Sequence, residues 1–502
     1  MKSLLGEGAK VNEEEWFRRM LQDFNINQIL LGIRGAAMGY DIEPMYHMYP
    51  LDEAMMQYRR RITRDFRRDS LCKAFVQFSR GMQTARVLEH KSVYADSGQQ
   101  KGKWHSDALY YYCDAIEGLK ERLDEEKELS APLEAVRKEL SEFCGTEPYA
   151  QARQLGKEIN QYFSEHTFSL TIQPNRFIVR ECAAGGRETC EEGERGAWCK
   201  VWNENSCGVD SGFSDDKTAL VEDAVISFVR RKHPDIFRKI KELQKTKMDE
   251  RFFQLEQEAQ FYLSFFRYIH PFEEKGTVFT MPEDSENFAL WGGTDLALAS
   301  KLIRSGGHVV ANDIGLREGE KFIVITGPNG GGKTTCARMA GIVLYFSAMG
   351  LLVPAQKAEV PFYSRILSHF SVEESEETGR GKLMEELQRL LPVLRSEEGR
   401  QFVVLNELFT TAATKDAEEM GRRVMELLCT HQCEGIYVTH IQALARLGEG
   451  IVSMIAELCE DHRTRSYKIV RRMAEEEEYE DSMIERYHLT YEQIREVLAD
   501  AD

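Results

Sequence analysis

"KFIVITGPNGGGKTTCAR", residues 321–338, decides how the second half of this chain is read. Phe322–Ile325 is an apolar run of strand length, and Cys336–Ala348 suits a helix. Between them, Gly327-Pro328-Asn329-Gly330-Gly331-Gly332-Lys333-Thr334 satisfies G-x-x-x-x-G-K-[ST] without a mismatch. Glycines let successive backbone N–H groups turn inward around phosphate oxygens, and the N-terminus of the following helix adds positive potential. The stretch therefore reads as a phosphate-binding loop for a nucleotide. Lys333 is expected to reach the β- and γ-phosphates, Thr334 to ligate Mg²⁺, and Thr335 to complete the binding set. The bland alternative, a Gly-rich structural turn, does not account for strand, loop and helix occurring together.

Two downstream strands carry the residues that separate hydrolysis from phosphoryl transfer. "FVVLNELF" ends in Asn406 and Glu407, at the strand end where an open α/β sheet presents ligand-contacting groups. A hydrolase pairs Asp with Glu there: the first holds Mg²⁺ through water and the second activates the attacking water. Asn406 keeps an oxygen that can accept from metal-bound water but carries no charge. Weakened Mg²⁺ affinity and slow hydrolysis with Glu407 as base are the expectation. "GIYVTHI" ends in Thr439-His440. His440 is read as a partner of the γ-phosphate or the attacking water, with a purely structural histidine as the alternative.

Around this core the pattern is α/β from about residue 276. "HVVANDI" and "KFIVITG" read as strand, turn and strand, and alternation of strand and helix beyond them predicts a largely parallel sheet. Upstream, residues 1–165 read as polar-faced helices: "EEWFRRMLQDF" places Trp16, Met20 and Phe24 on one face. "YPLDEAMMQYRRRI" opens a helix after Pro50 with Asp52 as N-cap. "HTFSLTIQPNRFIVRE" begins a β-rich insertion at 166. One long helix is predicted from about Pro234 to Tyr268, with Phe252, Leu255, Ala259, Tyr262, Phe266 and Ile269 as its packed seam and "HPF" ending it. The last thirty or so residues read as a terminal helix pair.

At 502 residues the chain exceeds one core, which predicts several domains. With 65 basic and 83 acidic residues its net charge is −18, which argues against a generally adhesive nucleic-acid surface. Arg59, Arg60, Arg61, Arg64, Arg67 and Arg68 form a local basic run. It is read as a solvated helix face paired with nearby carboxylates, with contact to a phosphate backbone as the alternative. No apolar run approaches the ~20 residues that span a bilayer, and the N-terminus does not read as a secretion signal. A cytoplasmic protein with no membrane association is the expectation. Its 11 cysteines are expected to be reduced. Cys182, Cys190, Cys199 and Cys207 lack the close pairing of zinc ribbons and are read as ordinary loop cysteines.

"VVANDI", "TGPNGGGKTTCAR", "GLLVPAQKAEV", "TGRGKLMEEL", "LNELFTTAATKDA" and "VTHIQAL" follow one another, over about 290–470, in the order and spacing of the ATPase blocks of the MutS family, which the chain resembles. "INQILLGI", "YPLDEAMMQYRRRI" and the helix after Pro234 resemble that family's helical core and lever more weakly. The resemblance implies a multidomain fold: an α-helical core over 1–165, a β-rich insertion over 166–215 and lever helices over 216–275. An α/β P-loop ATPase domain of the ABC type over 276–475 and a C-terminal helical segment over 476–502 complete it. It implies ATP and Mg²⁺ as cofactors, with Val309 and Val310 flanking the adenine and Asn312 in the same nucleotide-contacting loop. Gly379–Lys382 would face the nucleotide of a second subunit, so the site is composite and the protein a homodimer that closes on ATP. The family's mismatch-reading and connector domains find no counterpart here, and no nuclease domain is expected.

Three departures from the family pattern, Asn406, Gly381 and the Ala412-Ala413 pair, each remove a polar contact and again imply slow turnover. The resulting expectation is a DNA-repair-related Mg²⁺-ATPase whose dimer closure controls gripping of DNA, without mismatch specificity. The alternative is a nucleotide-gated binding module with negligible turnover that acts on a protein partner. A P-loop kinase is a weaker third reading, since no acceptor subdomain is visible.

Overall fold

The computed structural model describes residues 2–95, 97–173, 176–182, 196–199, 215–303, 305–370, 382–395, 399–459 and 465–473. The chain divides into two compact units, Met1–Leu4 with Asp65–Ala259, and Leu5–Arg64 with Gln260–Asp502. No described helix is long and apolar enough to cross a membrane. The expected terminal helix pair, and Gly379, Arg380 and Gly381, lie outside the described residues.

The first unit is built on helices Asp69–Tyr94 and Gly98–Glu125. Leu71, Phe75, Phe78, Met82, Ala85 and Leu88 follow one another at steps of three or four, and all are buried. Ser97 caps the second of these helices by accepting from the N–H of Gln100 at 3.1 Å. Helices Glu147–Glu165, Asp215–Lys232 and Pro234–Leu243 pack around Leu109, Phe163, Val225, Val229 and Ile240. A three-stranded antiparallel sheet stands where the β-rich insertion is expected: β1 (Thr167–Gln173) lies between β2 (Arg176–Cys182) and β3 (Gly196–Cys199). Cys190 and Cys207, and the side chains of Cys182 and Cys199, lie outside the described residues. Among the described residues no group of three His, Cys, Asp or Glu could hold a metal.

The single helix expected from Pro234 to Tyr268 is two. Pro234–Leu243 ends, and Glu250–Glu274 begins after Asp249, whose carboxylate accepts from the N–H of Arg251 at 3.0 Å. That side-chain acceptor satisfies a donor at the new helix start, so the apolar spacing continues across a backbone break. The second helix also runs through Pro271 instead of ending there. Phe272 is buried one position later, its ring 5.3 Å from that of Tyr268, and this packing outweighs the missing donor.

The second unit holds two sheets. β4 (Ala289–Gly293) pairs antiparallel with β5 (Asn312–Gly315) and β7 (Lys357–Glu359). The larger sheet contains β6 (Phe322–Thr326), β8 (Arg365–Phe370), β9 (Gln401–Asn406), β10 (Cys433–Val438), β11 (Ile451–Leu458) and β12 (Arg465–Val470). Its order is β12-β11-β6-β10-β9-β8, parallel except for β12, which runs antiparallel to β11 at the edge. Every residue of β6 and β9 is buried, which is why both read as unbroken apolar runs. β5 and β6 are the expected strands on either side of a turn, but they lie in different sheets. After β5 the N–H of Leu316 bonds to Phe288 in the smaller sheet, while Phe322 enters the larger one against Gly435 and Ile451.

The arginine run is resolved residue by residue. Helix Glu53–Phe66 starts as expected, with Asp52 accepting from the N–H of Met55 at 2.8 Å. Arg59 and Arg60, however, are 0% exposed, so neither the solvated face nor a contact to DNA holds for them. Arg59 donates to the carbonyls of Leu5 and Met48, each at 2.8 Å, and Arg60 pairs with Asp284 and donates to Ser347 at 2.8 Å. Buried carbonyls need donors, and a planar five-donor fork supplies several at once. Arg68 is taken up by Asp65 and Glu126, while Arg61, Arg64 and Arg67 are exposed. Arg59→Ala is expected to cost about 3–5 kcal/mol, because it leaves buried acceptors without partners. Urea denaturation measures this, and Arg61→Ala should stay within about 0.5 kcal/mol of the parent.

Candidate nucleotide-phosphate site

In the larger sheet, β6, β9 and β10 are parallel and end side by side: Val438 stands opposite both Asn406 and Ile325. Whatever follows these three strands is therefore collected at one edge. After β6 comes the loop Gly327–Gly332, then helix Lys333–Ala348, whose N-cap Gly332 has φ 96°. A side chain would strain that left-handed backbone. The loop also lies close on β11: a Cβ on Gly331 would meet that of Ala456 at 2.8 Å, and one on Gly327 would meet it at 3.0 Å. Pro328 and Asn329 complete the turn, and the N–H of Gly331 bonds to the Pro328 carbonyl at 3.2 Å.

Lys333 is 4% exposed, and its ammonium donates to the carbonyls of Gly327 at 2.8 Å and Pro328 at 3.1 Å. Burial pulls its pKa down to about 8; Glu407 opposes the shift and Arg465 adds to it. One position on, the hydroxyl of Thr334 donates to Oδ1 of Asn406 at 3.0 Å, which joins the helix start to the end of β9. Thr335 follows, half-buried.

Glu407 turns out of β9 with φ 53°, and its N–H bonds to the Val438 carbonyl at 2.8 Å. That hydrogen bond extends the β9–β10 ladder by one step and fixes where the side chain leaves. Its Oε1 meets Nε2 of His440 at 3.0 Å. The His440 hydrogen bond holds the Glu407 carboxyl below its usual range, and the charges of His440 and Lys333 act in the same direction against burial. Phe409 also has a positive φ, 61°, and its N–H donates to the carboxylate of Glu386 at 2.8 Å. Ala413 stands at the N-cap of helix Thr414–Thr430 and offers no capping side chain.

The structure thus brings together Lys333, Thr334, Asn406, Glu407 and His440. Val309 and Val310 lie half-buried just ahead of β5. Val309 and Ala311 line a cavity of about 410 Å³ with Gly292, Thr294 and His308. Asn312 is committed elsewhere: Nδ2 donates to the carbonyls of Val310 and Tyr467, and Oδ1 accepts from the N–H of Ile469 at 2.8 Å. With both donors and an acceptor used, it ties its loop to β12. The sequence reading passed over β11 and β12, although "IVSMIAEL" (451–458) is an apolar run as long as those it recognised.

A parallel sheet with a glycine loop between strand and buried helix, and with polar groups converging at one strand edge, is the arrangement of a phosphate-binding site. Residues 323–483 match the model of MutS domain V. The DNA mismatch repair protein MutS of Thermotoga maritima is 30% identical over 140 residues, 28% of this chain and 18% of that protein. The MutS of Erythrobacter litoralis is 28% identical over 193 residues, 35% of this chain and 22% of the relative. For Zymomonas mobilis the figures are 27% over 210 residues, 38% and 24%. The similarity therefore relates the nucleotide-site region to MutS proteins while covering less than a quarter of those relatives' length.

A lysine with a pKa near 8 titrates within the working range of a binding assay. Its charged form, which attracts phosphate, is full below that pH and lost above it. Nucleotide affinity is therefore expected to fall as pH rises from 7 to 9.5. Binding near pH 8.5 should be accompanied by proton uptake, read by calorimetry in buffers of different ionisation enthalpy. Lys333→Ala should abolish the uptake.

Proposed function

We propose that this chain is a slow Mg²⁺-dependent ATPase related to MutS, with Lys333 and the Gly327–Gly332 loop holding the phosphates. The observation that carries this reading is the convergence of Lys333, the Thr334–Asn406 pair and the Glu407–His440 pair at one sheet edge. Thr334 Oγ1 and Asn406 Oδ1 are neutral hard oxygens of the type Mg²⁺ accepts, and the metal would neutralise charge on the phosphates. Among the described residues no carboxylate is bonded to that oxygen pair, so affinity for the metal should be modest. Glu407 orients the attacking water as base, and His440 holds that carboxylate in place. A base whose pKa is pushed down is a weak proton acceptor, in keeping with slow turnover.

The remainder of the proposal rests on the resemblance to MutS. Two copies of the chain sandwich ATP between them, Gly379–Lys382 of each facing the other's nucleotide, and closure controls a grip on DNA. Of the arginine run, only Arg61, Arg64 and Arg67 are exposed enough to meet a phosphate backbone.

Lys333→Ala should lose ATP binding, while Glu407→Gln should bind ATP and hydrolyse it at least about 10²-fold more slowly, as measured by phosphate release. Equal hydrolysis by Glu407→Gln and parent would refute the assignment. If parent turnover is negligible and partner binding needs Lys333 but tolerates Glu407→Gln, the nucleotide-gated binding module replaces the ATPase. Glu407→Gln with saturating ATP and Mg²⁺ is expected to sediment as a dimer. Its affinity for duplex DNA should fall steeply between 50 and 200 mM salt, with a shallower slope in Arg61→Ala/Arg64→Ala. Salt-independent binding would remove DNA from the proposal.

A further inference from the structure

The phosphate loop has a neighbour on β12. Arg465 lies against Gly330 so closely that a Cβ built on that glycine would stand 2.1 Å from Nη1. Gly330 itself has φ 69°. The absence of a side chain there is what gives the guanidinium its place. Arg465 is half-buried, and among the described residues no carboxylate or carbonyl takes it up. It lies near enough to Lys333 to act on that lysine's charge. Two cations placed together beside a glycine loop repel one another, and among the described residues the carboxylate of Glu407 is the one that opposes them at Lys333. A polyphosphate relieves both charges at once, and a guanidinium binds phosphate oxygens in a two-pronged geometry that an ammonium lacks.

We propose that Arg465 is a second phosphate-binding cation of this site, which reaches across Gly330 to the phosphate chain of the nucleotide that Lys333 holds. It acts from the same chain, on the edge strand next to β11. The inference rests on the nucleotide reading given above and adds a residue to it. Sequence pattern could not have indicated it, because Arg465 lies well over a hundred residues after the loop and belongs to no motif.

The test is calorimetric titration of the full chain with ATP and with ADP. Arg465→Met keeps most of the side chain's length and packing but removes its charge, and is expected to weaken both nucleotides about tenfold or more. Arg465→Lys should recover a substantial part of the loss. A second readout is salt dependence: ATP affinity should fall less steeply with rising salt in Arg465→Met than in the parent, because one cation fewer meets the phosphates. Parental affinity in Arg465→Met would overturn the inference. So would equal weakening in Arg465→Met and Arg465→Lys with an unchanged salt dependence, since a packing role gives that result. If the parent chain binds neither ATP nor ADP, the nucleotide site itself is refuted. Failure confined to the Arg465 variants leaves that site standing.

Discussion

The approach of the Gly327–Gly332 loop to Ala456 sets the geometry of everything around it. The loop is braced from below by β11. A Cβ on Gly327 or Gly331 would stand 3.0 or 2.8 Å from that of Ala456, so the loop packs this closely on the strand because both positions are glycine. The start of the helix at Lys333 follows, and with it the position of Thr334 over Asn406. Loop, helix and β9 are thus linked through two contacts that a side chain at either glycine would disrupt.

On the opposite side of Asn406 the chain makes an unusual turn. Glu407 and Phe409 both occupy left-handed backbone, which ordinary side chains disfavour by about 1 kcal/mol or more each. Three hydrogen bonds hold the segment: Glu407 N–H to Val438, Phe409 N–H to Glu386, and the Glu407 carboxylate to His440. Backbone strain at Glu407, held by a hydrogen bond on its N–H and another on its carboxylate, fixes the direction in which that side chain leaves the strand. Lys333 and Glu407 also shape one another electrostatically. Burial weakens the lysine's hold on its proton, and the carboxylate partly restores it.

The buried arginines show how far residue type can mislead. Six arginines within ten positions suggest a charged surface, yet Arg59 and Arg60 are interior donors to backbone carbonyls and to Asp284 and Ser347. Helical geometry alone puts some of any such run on the buried face, since Met56, Ile62 and Thr63 around them are buried too. Which arginines those are depends on where unpaired carbonyls such as those of Leu5 and Met48 lie, and those sit elsewhere along the chain. Asn312 makes the same point: its amide is used in stitching a loop to β12.

Local pattern made the glycine loop between strand and helix, the strands β6, β9 and β10, the Asp52 cap and the packed seam from Phe252 to Ile269 legible. Each of these depends on neighbours a few residues away, through backbone conformation or periodic burial. Long-range pairing settled the rest. The hydrogen bond of Leu316 to Phe288 sent β5 to a different sheet from β6. A break before Asp249 put the whole seam from Phe252 to Ile269 on a second helix, and the docking of Phe272 carried that helix past Pro271. Ala456 and Arg465 came to the loop from strands that share no motif with it. Chain composition cannot convey such choices, because a hydrogen bond or close contact between distant residues is decided by which surfaces meet when the core closes.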